Sequence, residues 1–150
     1  MAAASGDDAF QRECLQAHNT LRAQHGCPPL EISKKLNDYA NKWAKTLAKE
    51  KKMKHSSTKD YGENLYMIKG AKASAEQAVK AWYDEIKAYS FKESKFSMNT
   101  GHFTQLIWKD TKELGVGIGI TGDTTYVVCS YYPPGNVVGF FKENVPPKKT

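Results

Sequence analysis

The spacing of apolar residues predicts three amphipathic helices within the first 90 residues. The first covers residues 7–26, where Asp7 or Asp8 can cap the start and Gly26 ends the helix. Its inner stripe consists of four residues, Phe10, Cys14, Ala17 and Leu21. The third helix begins at Ser74, for which Gln77 can close a capping box. Five apolar residues form its buried stripe: Ala78, Val79, Trp82, Ile86 and Tyr89.

The second helix has two chemically different faces. Ser33 can cap it, and the helical pattern extends over residues 34–52. Its apolar side chains fall within about 100° of arc on one side: Leu36, Tyr39, Ala40, Trp43 and Leu47. Lysines occupy the opposite side: Lys35, Lys42, Lys45, Lys49 and Lys52.

After the second helix, the sequence pattern predicts a loop, and after the third helix it predicts a short helix followed by strands. Residues 101–108 have the spacing of a short apolar helix, and residues 54–72 are predicted as a loop with a short extended piece at 65–68. Three later segments are predicted as strands: 113–121, 125–132 and 140–145. Because helices come first and a hairpin follows, we predict an α+β fold with helices layered on an antiparallel sheet.

No linker or internal repeat divides the 150 residues. We therefore predict a single domain over residues 1–150, with flexible ends at residues 1–6 and 146–150. No apolar run approaches the roughly 20 residues that span a bilayer, and the first ten residues lack the basic and apolar regions of a signal peptide. Ala2 stands where N-myristoylation requires glycine.

The net charge of +6 is concentrated in one region, because nine lysines lie between residues 34 and 59 against Asp38 and Glu50. A basic amphipathic helix can bind an anionic membrane, here through Lys42, Lys45, Lys49 and Lys52. The alternative is a core helix with a solvated outer face. Nucleic acid is disfavoured as a partner, since the basic region contains no arginine and no nucleic-acid-binding motif.

Two histidines have carboxylates at suggestive positions. His55 precedes Glu63 across a loop, and Glu85 on the third helix precedes His102 at the start of the short helix. If these side chains converge, they suit a divalent metal such as zinc or general acid–base chemistry. The alternative is that each is half-buried and satisfied by hydrogen bonds. For His18 we favour that second interpretation, a polar network that attaches the first helix to a loop.

A nucleophile is harder to find. The cysteines are an odd set, Cys14, Cys27 and Cys129, whose spacing matches no zinc or CxxC pattern. We predict buried, inert thiols in a reducing compartment. Ser56 and Ser57 adjoin His55 in a lysine-flanked loop, and residues 64–73 contain no Ser, Thr or Cys. A catalytic triad is therefore not predicted.

Four segments resemble the motifs of the CAP superfamily, which comprises cysteine-rich secretory, antigen 5 and pathogenesis-related 1 proteins. They are "HNTLR" (18–22), "GENL" (62–65), "GHFTQLIWKDT" (101–111) and "YVVCSYYPPGN" (126–136). The resemblance implies an α-β-α sandwich around a three- or four-stranded, mainly antiparallel sheet. It also implies a central cleft lined by His55, His102, Glu63 and Glu85, in which the two histidines bind a divalent metal, often zinc.

The segments "WYDEIKAYSF" and "GNVVGFFKENVPPKK" resemble a Golgi-associated branch of the superfamily. That resemblance implies an intracellular homodimer on the cytosolic face of Golgi or other membranes, bound to negatively charged or raft-type lipids. We therefore predict a non-enzymatic CAP-domain protein with a weak metal site. The first alternative is a metal-dependent hydrolase, a protease or esterase, that uses Glu63 or Glu85 as base. The second alternative is an extracellular defence or venom-like protein.

Overall fold

The computed structural model describes residues 6–70 and 74–149. Along these residues the elements are α1 (Gly6–Gln24), β1 (Glu31–Ile32), α2 (Lys34–Glu50), β2 (Gly62–Lys69), α3 (Ala75–Tyr83), a 3₁₀ helix (Asp84–Ala88), α4 (Gly101–Ile107), β3 (Glu113–Thr121), β4 (Thr124–Tyr132) and α5 (Phe141–Asn144). Within the described ranges, each helix is too short or too polar to cross a bilayer.

Four strands form one sheet in the order β1-β3-β4-β2. β1 runs parallel to β3, and the other two pairings are antiparallel, with β3 and β4 joined by a tight hairpin at Gly122 and Asp123. This arrangement confirms the predicted α+β fold and its mainly antiparallel, four-stranded sheet. The two-residue β1 and the first part of β2 were not predicted.

Helix α2 lies directly on one face of the sheet because β3 presents glycines there. A Cβ atom added at Gly115, Gly117 or Gly119 would lie 2.2–2.3 Å from the backbone of α2. The glycines therefore let the helix axis approach the strand more closely than side chains would allow. Around this contact, small and apolar residues of α2 pack against β2 and β4. The residues from the helix are Ala40, Ala44, Leu47 and Ala48, and those from the strands are Leu65 of β2 and Tyr126 and Val128 of β4.

Helices α1, α3 and α4 cover the opposite face and bury the larger core. Alternate residues of β4 point towards these helices: Val127, Cys129 and Tyr131. They pack against Trp82 of α3 and against Phe103, Leu106 and Ile107 of α4. The sheet thus lies between two helical layers, as the α-β-α prediction requires.

Three local predictions are wrong. Within the predicted strand 140–145, Phe141–Asn144 form a helical turn, in which Phe141 packs edge-to-face on Trp108 at 4.9 Å. The third predicted helix ends as an α-helix at Tyr83 and continues as the 3₁₀ helix. Since α1 already begins at Gly6, Asp7 and Asp8 lie inside its first turn rather than at its cap.

Of the ends predicted to be flexible, residues 1–5 and 150 lie outside the described residues. The described part of the C-terminal tail is attached to the end of α1. Lys149 donates its backbone N–H to the Gln24 carbonyl at 2.8 Å, and His25 Nδ1 lies 2.8 Å from the Pro146 carbonyl oxygen.

Candidate functional site: two histidine–glutamate pairs

Glu85 holds the start of α4 and the His102 imidazole at the same time. Its Oε1 accepts the backbone N–H groups of His102 and Phe103 at 2.9 and 3.1 Å, and its Oε2 lies 2.8 Å from His102 Nδ1. Thr100, the residue at the helix cap, makes no side-chain capping hydrogen bond. Glu85 therefore supplies from the 3₁₀ helix the capping acceptor that α4 lacks locally.

The His102 ring also has a fixed plane. It stacks on Trp82 with ring centroids 6.2 Å apart and planes 6° from parallel. The imidazole keeps a third of its surface exposed. Two independent contacts, the stack and the Glu85 carboxylate, thus orient a side chain that still reaches solvent.

The second pair repeats this arrangement on the edge strand. Glu63, the second residue of β2, accepts three hydrogen bonds: from Ser56 N–H at 2.8 Å, from the Ser56 hydroxyl at 2.6 Å, and from His55 Nδ1 at 2.9 Å. The hydrogen bond to Glu63 raises the pKa of His55 above its ordinary value. The Glu63 side chain is only 7% exposed, whereas that of His55 is 63% exposed, so His55 presents its free edge to solvent.

Both pairs leave the same ring nitrogen free. In each histidine Nδ1 faces a carboxylate, and no hydrogen bond to Nε2 occurs among the described residues. A carboxylate that accepts Nδ1–H fixes the neutral imidazole with its lone pair on Nε2. That is the orientation which metal-binding histidines use, with the carboxylate as the supporting partner.

The four predicted residues therefore form two separate histidine–glutamate pairs. Over residues 6–70 and 74–149, no group of three or more His, Cys, Asp or Glu side chains is placed to hold a metal ion. The pairs lie on adjoining elements, since Asn64, next to Glu63, donates to the His102 carbonyl at 3.0 Å.

A buried polar network connects this region to α1. The Asn64 amide also donates to the Tyr131 hydroxyl at 3.2 Å, and Tyr131 in turn donates to His18 Nε2 at 2.7 Å. His18 Nδ1 lies 2.8 Å from the Cys14 carbonyl oxygen and completes the chain of contacts. His18 is fully buried and belongs to a polar network, but its side-chain partner Tyr131 lies on β4 rather than on the predicted loop.

Arg22, in the same motif as His18, is a structural residue that the sequence did not reveal. Its guanidinium is fully buried and donates to five backbone carbonyls, those of Pro28, Leu106, Trp108, Lys109 and Thr111. Burial lowers the pKa of Arg22 to about 10. Because four of these carbonyls lie at or beyond the end of α4, Arg22 fixes the helix that carries His102.

Within the described part of the chain, no hydrolytic triad is assembled around His55. The Ser56 hydroxyl and His55 Nδ1 both contact Glu63, and no His55–Ser56 hydrogen bond occurs among the described residues. Cys14, Cys27 and Cys129 are free and buried, as predicted. Among the described residues, then, the Ser56 hydroxyl is engaged with Glu63 and the three thiols are buried.

Three of the predicted membrane-binding lysines, Lys42, Lys45 and Lys49, lie on the outer face of α2, and Lys52 follows just beyond the end of the helix at Glu50. All four, Lys42, Lys45, Lys49 and Lys52, are exposed. Ion pairs in this region involve Lys34 with Asp38 and Lys54 with Glu50, and the four lysines make none with described residues. Their charges are therefore available to an external partner.

Comparison with known proteins identifies the family. Residues 15–131 match the CAP family, described as the Cysteine-rich secretory protein family. The chain is 45% identical over 152 residues to the human Golgi-associated plant pathogenesis-related protein 1, covering 97% of this chain and 98% of the relative. It is 40% identical over 143 residues to Protein PRY2 of Saccharomyces cerevisiae, covering 92% of this chain but only 41% of that protein.

Solved structures share the fold. NaASP2, solved with Zn²⁺, is 26% identical with a TM-score of 0.70, covering 97% of this chain and 87% of that one. BmVAL-1 is 20% identical with a TM-score of 0.74, covering 89% of this chain and 80% of that one. The four sequence motifs, the sandwich architecture and these likenesses agree, and the chain belongs to the CAP family of cysteine-rich secretory proteins.

Proposed function

We propose that this CAP protein is a non-enzymatic, membrane-associated protein that binds anionic lipid surfaces through the outer face of α2. The observation that carries the proposal is the row of exposed lysines on α2 and just beyond its end, which make no ion pair with another described residue: Lys42, Lys45, Lys49 and Lys52. Each lysine near an anionic leaflet contributes about 1 kcal/mol, so four contribute about 4 kcal/mol at moderate salt. Attraction of this size supports reversible binding.

Tyr39, at the edge of the apolar stripe of α2, borders the lysine row and begins a chain of aromatic contacts. Tyr39 lies one helical turn from both Lys35 and Lys42, and its ring meets Tyr61 edge-to-face at 5.1 Å. Tyr61 in turn contacts Tyr132, which is 46% exposed. Rings with an apolar body and a polar tip suit the headgroup region of a bilayer.

The cytosolic face of Golgi membranes is the proposed location. The human relative that is 45% identical over nearly the whole chain is a Golgi-associated protein. The relatives also include the Secreted protein RBT4 of Candida albicans, at 38% identity over 140 residues. The small number of cysteines, all free, favours the intracellular alternative for this chain.

Vesicle co-sedimentation across a salt series tests the membrane proposal. With vesicles of phosphatidylcholine and phosphatidylinositol, we expect binding at low salt that weakens as salt screens the charges. Changing Lys42, Lys45 and Lys49 to Glu should lower affinity by at least about 100-fold, since three contributions of about 1 kcal/mol are lost. The control changes the exposed Lys87, Lys92 and Lys142 to Glu, which alters net charge equally on other surfaces. Equal losses in the two variants, or no binding at low salt, would refute the proposal.

The two histidine–glutamate pairs are proposed as a weak divalent-metal site. His55 and His102 would supply Nε2 ligands, and Glu63 and Glu85 would support them, as neither carboxylate has an idle oxygen. A relative at 26% identity was solved with Zn²⁺. Two protein ligands are fewer than the three or four of tight zinc sites, so the affinity should be low.

Calorimetric titration with zinc chloride tests this second proposal. Wild type should bind one equivalent, and the variant combining His55→Ala and His102→Ala should bind none. Binding that survives the double change would remove the assignment. A hydrolase is less well supported, because Glu63 and Glu85 each already accept three hydrogen bonds and are held as supporting groups rather than as free bases.

A further inference from the structure

Two of the three cysteines meet in the core. The sulfur atoms of Cys14 on α1 and Cys129 on β4 lie 3.6 Å apart, and both residues are fully buried. They are 115 residues apart in the sequence. The third cysteine, Cys27, lies elsewhere, with its thiol directed towards the His25 carbonyl at 3.9 Å.

The two thiols have different chemical character. The hydrogen bond from the Cys129 thiol, together with the nearby His18, lowers the pKa of Cys14. Burial raises the pKa of Cys129. His18 Nδ1 lies 3.8 Å from the Cys14 sulfur. Since the thiolate is the reactive form of cysteine, Cys14 is the thiol suited to attack and Cys129 the one suited to resolve.

We propose that Cys14 and Cys129 form an oxidation site at which a small hydroperoxide produces an intrachain disulfide between α1 and β4. This proposal is independent of the membrane and metal proposals. It concerns a pair of buried thiols for which neither the two histidine–glutamate pairs nor the lysine face provides a role. Burial restricts the oxidant to a molecule as small as hydrogen peroxide, which enters during local opening of the helix.

The reaction balances in two steps. The Cys14 thiolate attacks one peroxide oxygen, the O–O bond breaks, and Cys14 sulfenic acid forms with release of hydroxide, which takes up the proton lost by Cys14. The Cys129 sulfur then attacks the Cys14 sulfur, the S–O bond breaks, and the departing hydroxide combines with the Cys129 proton. In sum, two thiols and one hydrogen peroxide give one disulfide and two waters.

The sulfur atoms need to approach by about 1.5 Å to reach bonding distance, a displacement within reach of side-chain rotation and a small shift of α1. The resulting cross-link would close a loop of more than 100 residues. Such a cross-link restricts the unfolded chain, and we expect the midpoint of thermal unfolding to rise by about 10 °C.

The test exposes the folded, reduced protein to hydrogen peroxide, denatures it in the presence of an alkylating reagent, and maps the peptides by mass spectrometry. We expect two thiols to be lost, a Cys14–Cys129 peptide cross-link with a loss of two hydrogens, and a Cys27 that still alkylates. The rise in unfolding temperature should disappear on treatment with dithiothreitol.

The variant Cys27→Ala contains only the two proposed thiols and should give the same cross-link and the same temperature shift. Cys14→Ala and Cys129→Ala should each give neither. A cross-link that joins Cys27 or two chains, three thiols that all still alkylate after peroxide treatment, or sulfinic acid at Cys14 in place of a disulfide would overturn the proposal.

Discussion

Glu85 offers a direct test of how the chain prepares His102. In Glu85→Gln the amide oxygen can keep the two backbone N–H groups of α4, but the amide NH₂ then faces His102 Nδ1. Because an NH₂ group donates, Nδ1 must become the acceptor and the ring proton must move to Nε2. The substitution should therefore reverse the tautomer and remove the lone pair that a metal ion would use.

The contacts set the magnitudes. Glu85→Ala removes a helix cap worth about 1 kcal/mol and a hydrogen bond to a charged group worth about 1.5–3 kcal/mol, so we expect a loss of about 3 kcal/mol in the free energy of unfolding. Glu85→Gln keeps the geometry and should lose about 1 kcal/mol. If zinc binds as proposed, Glu85→Gln should weaken it about 10- to 100-fold, the usual effect of losing a supporting partner.

Urea unfolding followed by tryptophan fluorescence measures the stabilities, and long-range nitrogen–proton NMR spectra of the imidazole report the tautomer. Wild type should carry its proton on Nδ1 of His102, and Glu85→Gln on Nε2. Glu63→Gln, which alters the other pair, should leave the His102 tautomer unchanged. The reasoning fails if His102 has the same tautomer in wild type and Glu85→Gln, or if Glu85→Ala loses less than about 1 kcal/mol.

Three further predictions concern stability. Burial lowers the pKa of His25 in the folded chain, so below about pH 6.5 the unfolded chain binds more protons and stability falls as the pH is lowered. Urea unfolding at a series of pH values should show a weaker pH dependence of stability in His25→Gln. His55, whose pKa is raised, contributes in the opposite direction in both proteins. Gly117→Ala should cost about 2 kcal/mol or more in urea unfolding, because its Cβ would meet the α2 backbone at 2.3 Å, whereas Ile120→Ala, exposed on the same strand, should cost under about 0.5 kcal/mol. Arg22→Lys should cost at least about 3 kcal/mol, since an ammonium cannot reach five carbonyls, and a thermal melt close to that of wild type would contradict this.

Elements governed by local signals could be predicted from the sequence. Ser33 accepts the Leu36 N–H at the start of α2, and Ser74 accepts the Gln77 N–H at the start of α3, as their capping chemistry indicated. Strand β3 has the predicted bounds, Glu113–Thr121. These features depend on residues within a few positions of one another, which is the range over which periodicity and capping act.

Elements that depend on distant partners could not be predicted. The segment at Gly62–Asn64 is polar and looked like a loop, yet it is strand because Gly62 pairs with Tyr131 and Asn64 pairs with Cys129. At Phe141, apolar content suggested a strand, but contact with Trp108 selects a helical turn. In both cases a tertiary contact outweighs the local preference.

The same distinction applies to the candidate site. Their positions in the sequence make four residues candidates for a shared site: His55, His102, Glu63 and Glu85. The sequence does not indicate that each carboxylate accepts hydrogen bonds from one histidine and from two further donors. Periodicity places Trp82 in the core, but it does not indicate that His102 stacks on the indole ring.

The motifs that identify the family mostly build the scaffold. Gln105 accepts the Gly135 N–H and donates to the Thr111 hydroxyl, Arg22 binds the end of α4, and Asn64 reaches the His102 backbone carbonyl rather than its imidazole. A chain could keep all of these contacts, and hence the fold, after losing any use for the two histidine–glutamate pairs. Family membership therefore does not establish metal binding. Because the scaffold contacts the backbone of His102 and leaves its ring to Glu85 and Trp82, the imidazole can be replaced without breaking the network, and its function can be tested separately from the fold.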